Sequence, residues 1–264
     1  MKKVLFVNHD ITPYVSETEL STMGRIVPQK VQEAGCEIRT FMPRWGNINE
    51  RRGQLHEVIR LSGLNICIND TDHPLIIKVA SIPSTKVQVY FIDNEEFFTR
   101  RGQIADQEGN TYTDNGERAV FFARGVIETI KKLRWTPDII HCQGWMAALA
   151  PIYAKIAYKD EPSVANVKIV TSLIGSQENT PIEENIKDCI AFNDITVDSL
   201  SKYDTLADSN ALLKMAIDNS DGIIITSDNI DPEILEYARQ SNAKILEYQE
   251  EEIGQKYVEF YESL

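Results

Sequence analysis

Apolar residues are distributed along this chain in two rhythms. Short continuous apolar runs occur at 3–8 (KVLFVN), 37–42 (EIRTFM), 87–93 (VQVYFID), 138–142 (DIIHC), 167–174 (VKIVTSLI) and 222–226 (GIIIT). Runs of this length, apolar at successive rather than alternate positions, are strands buried on both faces of a parallel sheet. Between them the apolar spacing is helical. It predicts helices over 20–34, stopped by Gly35, and over 114–134, with Val120, Phe121, Ala123, Val126, Ile127 and Ile130 on one broad face. Further helices are expected over 145–157, 212–217, 232–240 (opened by a proline) and 250–264, and a last short strand over 244–247. Asp114, with Glu117 three residues later, has the form of a capping box. The alternation predicts an α/β fold, a Rossmann-like, doubly wound and mostly parallel sheet with helices on both faces, with residues 1–264 as one domain.

Two stretches interrupt that rhythm. Between Trp45 and Lys86 the pattern has no helical period and reads as a β meander, with strand-like pieces at 57–61, 64–68 and 76–82. Residues 94–113 form a polar, glycine-bearing loop that contains Phe97, Phe98 and Tyr112. Loops this long in compact domains are often functional, and their aromatic residues either stack on a ligand or pin the loop down.

The strand at 138–142 runs through Gly144 into the apolar stretch beginning at Trp145. In parallel sheets, ligands sit where strands end and helices begin. A site here would therefore include His141, Gln143, Gly144 and Trp145 in its wall. The same residues admit a structural reading, as a packed strand-end histidine and a tryptophan anchoring the core. The first loop, 9–19, has no glycine to bring backbone toward a phosphate, and it carries Glu17 and Glu19. Those carboxylates suit a helix N-terminus but repel a diphosphate. Neither a cofactor nor a metal is expected.

Composition narrows the classes. The 27 Lys+Arg against 40 Asp+Glu give a net charge of −13, which argues against binding a nucleic-acid backbone. Cys36, Cys67, Cys142 and Cys189 form no close pair and read as free, buried thiols of a reducing compartment. The N-terminus lacks the apolar core of a signal peptide and no run is long enough to span a bilayer, so a cytoplasmic protein without membrane association is expected.

Landmarks spread over the chain then carry a resemblance. They are the opening strand, Pro13-Tyr14-Val15, residues 20–35, Pro43-Arg44-Trp45, and 89–93 with Phe98 and Arg100-Arg101-Gly102. Asp114-Asn115 with Glu117-Arg118 and Phe121-Phe122 follow, then 137–141 with Trp145, and 213–217 before Ser220-Asp221. In order and spacing the chain resembles the N-terminal domain of the bacterial glycogen/starch synthases. The resemblance implies retaining transfer of glucose from ADP-glucose, with the substrate held between two Rossmann-like domains. It departs from the family where the chemistry sits. Ser16-Glu17-Thr18-Glu19-Leu20 stands for Lys-Thr-Gly-Gly-Leu, Gln143-Gly144-Trp145-Met146 for His-Asp-Trp-His, and Thr171-Ser172-Leu173-Ile174 for Thr-Ile-His-Asn. The family's second domain has no counterpart in these residues.

The expectation is a synthase-like domain that is catalytically silent alone and acts by binding an α-glucan, a maltooligosaccharide or a protein partner. Its candidate glucan cleft comprises Trp145, His141, Gln143, Asp93, Asn94, Phe98 and Tyr112. The alternative is an active ADP-glucose:α-glucan glucosyltransferase subunit completed by a separate C-terminal-domain chain. A third reading is an unrelated α/β protein for a small ligand.

Overall fold

The computed structural model describes residues 1–99, 101–175, 177–203 and 206–264. In chain order they form β1 (Lys3–Asn8), α1 (Glu19–Glu33), β2 (Glu37–Pro43), α2 (Glu50–Gly53), β3 (His56–Glu57), β4 (Leu64–Ile68), β5 (Thr71–Ser81), β6 (Gln88–Asp93) and α3 (Asn115–Leu133). There follow β7 (Ile139–Gln143), α4 (Ala150–Ile152), β8 (Lys168–Leu173), α5 (Ile186–Ile190), α6 (Ser209–Asp218), β9 (Gly222–Ile225), α7 (Pro232–Gln240), β10 (Lys244–Leu246) and α8 (Ile253–Glu262). The strands make a ten-stranded sheet in the order β10-β9-β8-β7-β1-β2-β6-β5-β3, with β4 paired to β5.

The apolar runs are the parallel strands β1, β2, β6, β7, β8 and β9, and the meander is the antiparallel β3–β5 edge next to β6. The expected piece at 57–61 shortens to β3. Beyond it the backbone turns, with the Leu61 and Ser62 amides both donating to the Val58 carbonyl. Strand order reverses at β1: β2 and β6 lie on one side of it and β7, β8, β9 and β10 on the other. The carboxyl ends of β1 and β7 therefore diverge into the crevice where ligands settle in such sheets.

Successive residues of the strands serve opposite faces. On β6, the Phe91 ring meets the Tyr14 ring edge-on at 4.9 Å, while Ile92 packs beneath Gly125 of α3. α1 and α8 pack together on one face, and α3, α4 and α6 pack in series on the other.

Three local expectations change. The helix over 145–157 is broken into a 3₁₀ turn (Trp145–Ala147), the short α4 and a π turn (Tyr153–Ala157). Pro151 sits in α4, where it can neither donate a backbone bond nor tolerate a helical turn ahead of it. Asp114 does not cap α3, because its carboxylate is taken by Arg101 Nη1 at 2.5 Å. Glu183 does so from a distant loop, accepting from the Gly116 and Glu117 amides at 2.9 and 2.5 Å. The thiols are free, but Cys67 is exposed.

Two buried polar devices hold the sheet. His141 is fully buried between β8 and α8, with Nδ1 2.7 Å from the Tyr261 hydroxyl and Nε2 2.6 Å from Ser172 Oγ. Burial lowers its pKa to about 3, so the ring is neutral. At the far end of β6, Lys78 bridges the carboxylates of Asp93 (3.0 Å) and Glu50 (2.6 Å), and Arg44 pairs with Glu50. Burial alone would lower the Lys78 pKa, but the bond to Glu50 and the charge of Asp93 raise it.

These devices set the pH response. His141 and His9 are both held below the ordinary imidazole pKa by burial, so the unfolded chain binds more protons as pH falls below about 6.5. Stability is full above that pH and declines as it drops, by up to about 1.4 kcal/mol per pH unit for each histidine. Urea unfolding between pH 7 and 5 checks this, and His141→Gln should flatten the slope. At the alkaline end the sign reverses. The raised Lys78 pKa contributes stability that is complete below about pH 10.4 and lost as pH rises through the folded value. Lys78→Met should remove that alkaline component.

Candidate functional site

The carboxyl end of β1 is where the sequence-predicted crevice lies, and it is packed with side chains. His9 is 5% exposed and lies between two tryptophans, with ring centroids 5.5 Å from Trp45 and 5.4 Å from Trp145. The approach to Trp145 is nearly perpendicular, at 87°, which sets ring edge against ring face. Trp45 Nε1 donates to the His9 carbonyl at 3.1 Å and to Asp10 Oδ1 at 2.8 Å, and Gln103 Nε2 donates to the same carboxylate at 2.9 Å. Gly144 makes this density possible. Its φ is +81°, and a Cβ there would lie 2.6 Å from that of His9.

The loop at 94–113 closes over this cluster. The Arg118 guanidinium lies about 5 Å from each of the Trp45, Phe98 and Tyr112 ring centres. It donates to the carbonyls of Phe97 (2.8 Å) and Gly102 (3.1 Å) and to Asn115 Oδ1 (2.7 Å). Burial lowers its pKa to about 10, leaving it a cation at neutral pH. The backbone of Phe98 and Arg101 rests directly on Gly46, where a Cβ would fall 1.8 Å from the Arg101 carbonyl oxygen. Arg100 lies outside the described residues.

The seven predicted site residues are therefore scattered. Trp145 and Phe98 are in the aromatic packing, 2% and 0% exposed. His141 belongs to the β7–β8–α8 clamp, and Asp93 to the ion cluster with Lys78. Asn94 is buried and caps the π turn Glu95–Thr99, its Oδ1 accepting from the Glu96 and Phe97 amides. Gln143 is wholly buried, and neither polar atom of its side-chain amide has a hydrogen-bond partner. The Oδ1 of Asn8, its register partner on β1, and His9 Nδ1 are likewise unpartnered. Tyr112 alone of the seven lines an open groove. This cleft of about 590 Å³ is also bordered by Asn47, Thr99, Arg101, Gln103 and Gln107. His9, Asp10 and Arg118 are central to the cluster and were not read from the sequence as site residues. The one signal for them was Asp114-Asn115-Gly116-Glu117-Arg118 directly after the long loop.

No helix among the described residues is long and apolar enough to cross a membrane, and no cluster of metal-ligating side chains is found among them.

Trp145 packed this way should behave as a core residue. Trp145→Ala is expected to cost about 3–5 kcal/mol of unfolding free energy in chemical denaturation. A family model described as the starch synthase catalytic domain matches residues 3–247. The glycogen synthase of Chlorobium luteolum is 39% identical over 172 residues, 65% of this chain and 35% of that protein. The glycogen synthase of Chlorobium chlorochromatii is 39% identical over 184 residues, 69% of this chain and 38% of that protein. The chain thus spans little more than a third of the relatives it matches. Its fold resembles the catalytic domain of starch synthase IV from Arabidopsis thaliana bound to ADP and acarbose, with a TM-score of 0.68 at 16% identity. That likeness covers 86% of this chain and 45% of the other. By the extent of the family match, this chain belongs to the starch synthase catalytic domain family.

Proposed function

We propose that this chain is a cytoplasmic, catalytically silent member of its family that acts by binding an α-glucan in the groove beside Tyr112. The observation that carries the silence is the N-terminus of α1. Thr18 caps it: Thr18 Oγ1 accepts from the Ser21 amide at 3.1 Å, and Ser21 Oγ accepts from the Thr18 amide at 2.9 Å. Where the resembled family has two glycines, this chain spends its side chains closing the helix end. Glu17 and Glu19 add negative charge at the place where a diphosphate would need positive potential. Met146 and Leu173, which stand for two of the family's polar residues, are sealed in the core at 0% and 2% exposure. Stabilising a leaving diphosphate requires donors preorganised toward it, and these replacements supply none.

Glucan binding rests on the groove. Tyr112 is half-buried, with its hydroxyl accepting from the Gly102 amide at 2.9 Å and Arg101 lying 5.2 Å from its ring centre. A fixed aromatic ring next to Asn47, Gln103 and Gln107 offers a stacking surface and amide partners for sugar hydroxyls. The solved relative bound to acarbose, an oligosaccharide, is consistent with this chemistry.

Two measurements test the reading. Purified chain supplied with ADP-glucose and glycogen should incorporate no glucose above a protein-free control; measurable incorporation overturns the silence. Maltoheptaose should bind saturably by calorimetry, and Tyr112→Ala should weaken binding about tenfold, as expected for losing a stacked ring. If maltoheptaose does not bind, the glucan assignment fails and a protein partner becomes the reading to pursue.

A further inference from the structure

The two edges of the sheet carry opposite charge. At one edge, α2 and the turn joining β5 to β6 face each other across a cleft, and β3 pairs with β5 beside them. This edge presents Arg51, Arg52, Arg60 and Lys86, all exposed, against one exposed carboxylate, Glu57. Glu50, the other acid of the stretch, is taken by Arg44 and Lys78. Among the described residues the four cations have no ion-pair partner. Ile59 stands among them and is 73% exposed, more than any other large hydrophobic side chain described except that of Met1.

The opposite edge is β10 and the connection that leads from it to α8. That connection reads Glu247-Tyr248-Gln249-Glu250-Glu251-Glu252, with four carboxylates and no cation. Arg239 meets Glu247, while Glu250, Glu251 and Glu252 are exposed and have no ion-pair partner among the described residues. Tyr248 is 44% exposed in their midst. Carboxylates near the start of α8 suit its dipole, which accounts for part of this acid. It accounts neither for the exposed tyrosine nor for the opposite charge at the far edge. Charged edges ordinarily keep copies of a sheet protein from pairing, which works when both edges bear the same sign. Here the charge that guards one edge attracts the other. The edges lie eight strand spacings apart, roughly 38 Å, against a screening length of about 10 Å at 0.1 M salt. Within one molecule they cannot neutralise each other, but between two molecules they can.

We propose that copies of this chain associate head to tail. The edge bearing Arg51, Arg52, Arg60 and Lys86 docks on residues 250–252 of the next copy, with Ile59 and Tyr248 as the apolar contacts. Two different surfaces meet, so the contact is heterologous and repeats along a row of copies. The net charge of −13 opposes any approach of two copies, which makes the contact weak and dependent on these local pairs. The association uses neither the Tyr112 groove nor the strand-end crevice, so it stands or falls apart from the glucan reading.

The experiment is sedimentation velocity on the whole chain over a concentration series, at about 0.1 M and about 0.5 M salt. Species larger than the monomer should grow with concentration at the lower salt, and the higher salt should weaken association by about tenfold or more. Arg51→Glu with Arg52→Glu makes both edges acidic, and Glu250→Lys with Glu251→Lys makes both basic. Each double variant alone should stay monomeric. Mixing the two should restore association, because each again meets an edge of opposite sign. Ile59→Ser should weaken association while leaving its salt dependence in place. All five positions are exposed, so the variants should fold, and Ile59→Ser serves as the check if a charge variant does not. A monomer at every concentration overturns the proposal. So does association unaltered by added salt or by Ile59→Ser, assembly that stops at a dimer, or a mixture of the double variants that stays monomeric.

Discussion

Burying a guanidinium is among the costliest things a fold can do, and the carboxyl end of this sheet depends on one. Arg118 rises from α3 into the centre of the loop at 94–113, where carbonyls of Phe97 and Gly102 and the side chain of Asn115 satisfy its donors. Three ring faces supply the rest of its surroundings. An unpaired charge in that position would cost several kcal/mol, so the partners are obligatory. The consequence is structural. The loop must fold onto Gly46 and Trp45 for those carbonyls to reach Arg118, and Trp45 is thereby fixed against His9 and Asp10. His9 in turn sets the approach of Trp145 at the end of β7. A single cation thus organises the packing across three strand ends.

That dependence explains why the fold was more legible in the sequence than the site. Strands announce themselves one at a time: 138–142 and 222–226 are apolar at successive positions because both faces are covered, and β7 and β9 follow within one residue. The helix over 232–240 is readable to the residue because Pro232 marks its start locally, and in the structure Asp231 caps it. Where the deciding contact is distant in sequence, local reading fails. Asp114 had the local form of a cap, but a nearby arginine claims it, and the capping carboxylate comes from Glu183, 67 residues from Gly116. The stretch after Trp145 carries helical spacing, but Pro151 and its tight packing divide it into three short turns.

The candidate residues failed to converge for a related reason. Tryptophan and phenylalanine near a strand end read alike whether they face a ligand or one another, because both environments are apolar. Trp145 and Phe98 face other side chains. His141 and Asp93 are buried, and their partners are Tyr261, Ser172 and Lys78. Tyr112 differs by position: it sits at the distal end of the loop, half-buried beside Arg118 and Arg101, and borders the groove.

A doubly wound sheet normally offers its strand-end crevice to a ligand because diverging helices leave that space unfilled. Here His9, Trp45, Trp145 and the loop held by Arg118 occupy it, and α1 opens with acidic residues and a closed cap. Reopening the space would break the Arg118 bonds and expose two tryptophans together, so the filled state is not a lid awaiting a substrate. Open space lies farther out, in the groove beside Tyr112. Among the described residues, the arginine that lines this groove, Arg101, is paired with Asp114. The fold's usual ligand crevice thus serves as the rigid support against which the loop bearing Tyr112 is fixed.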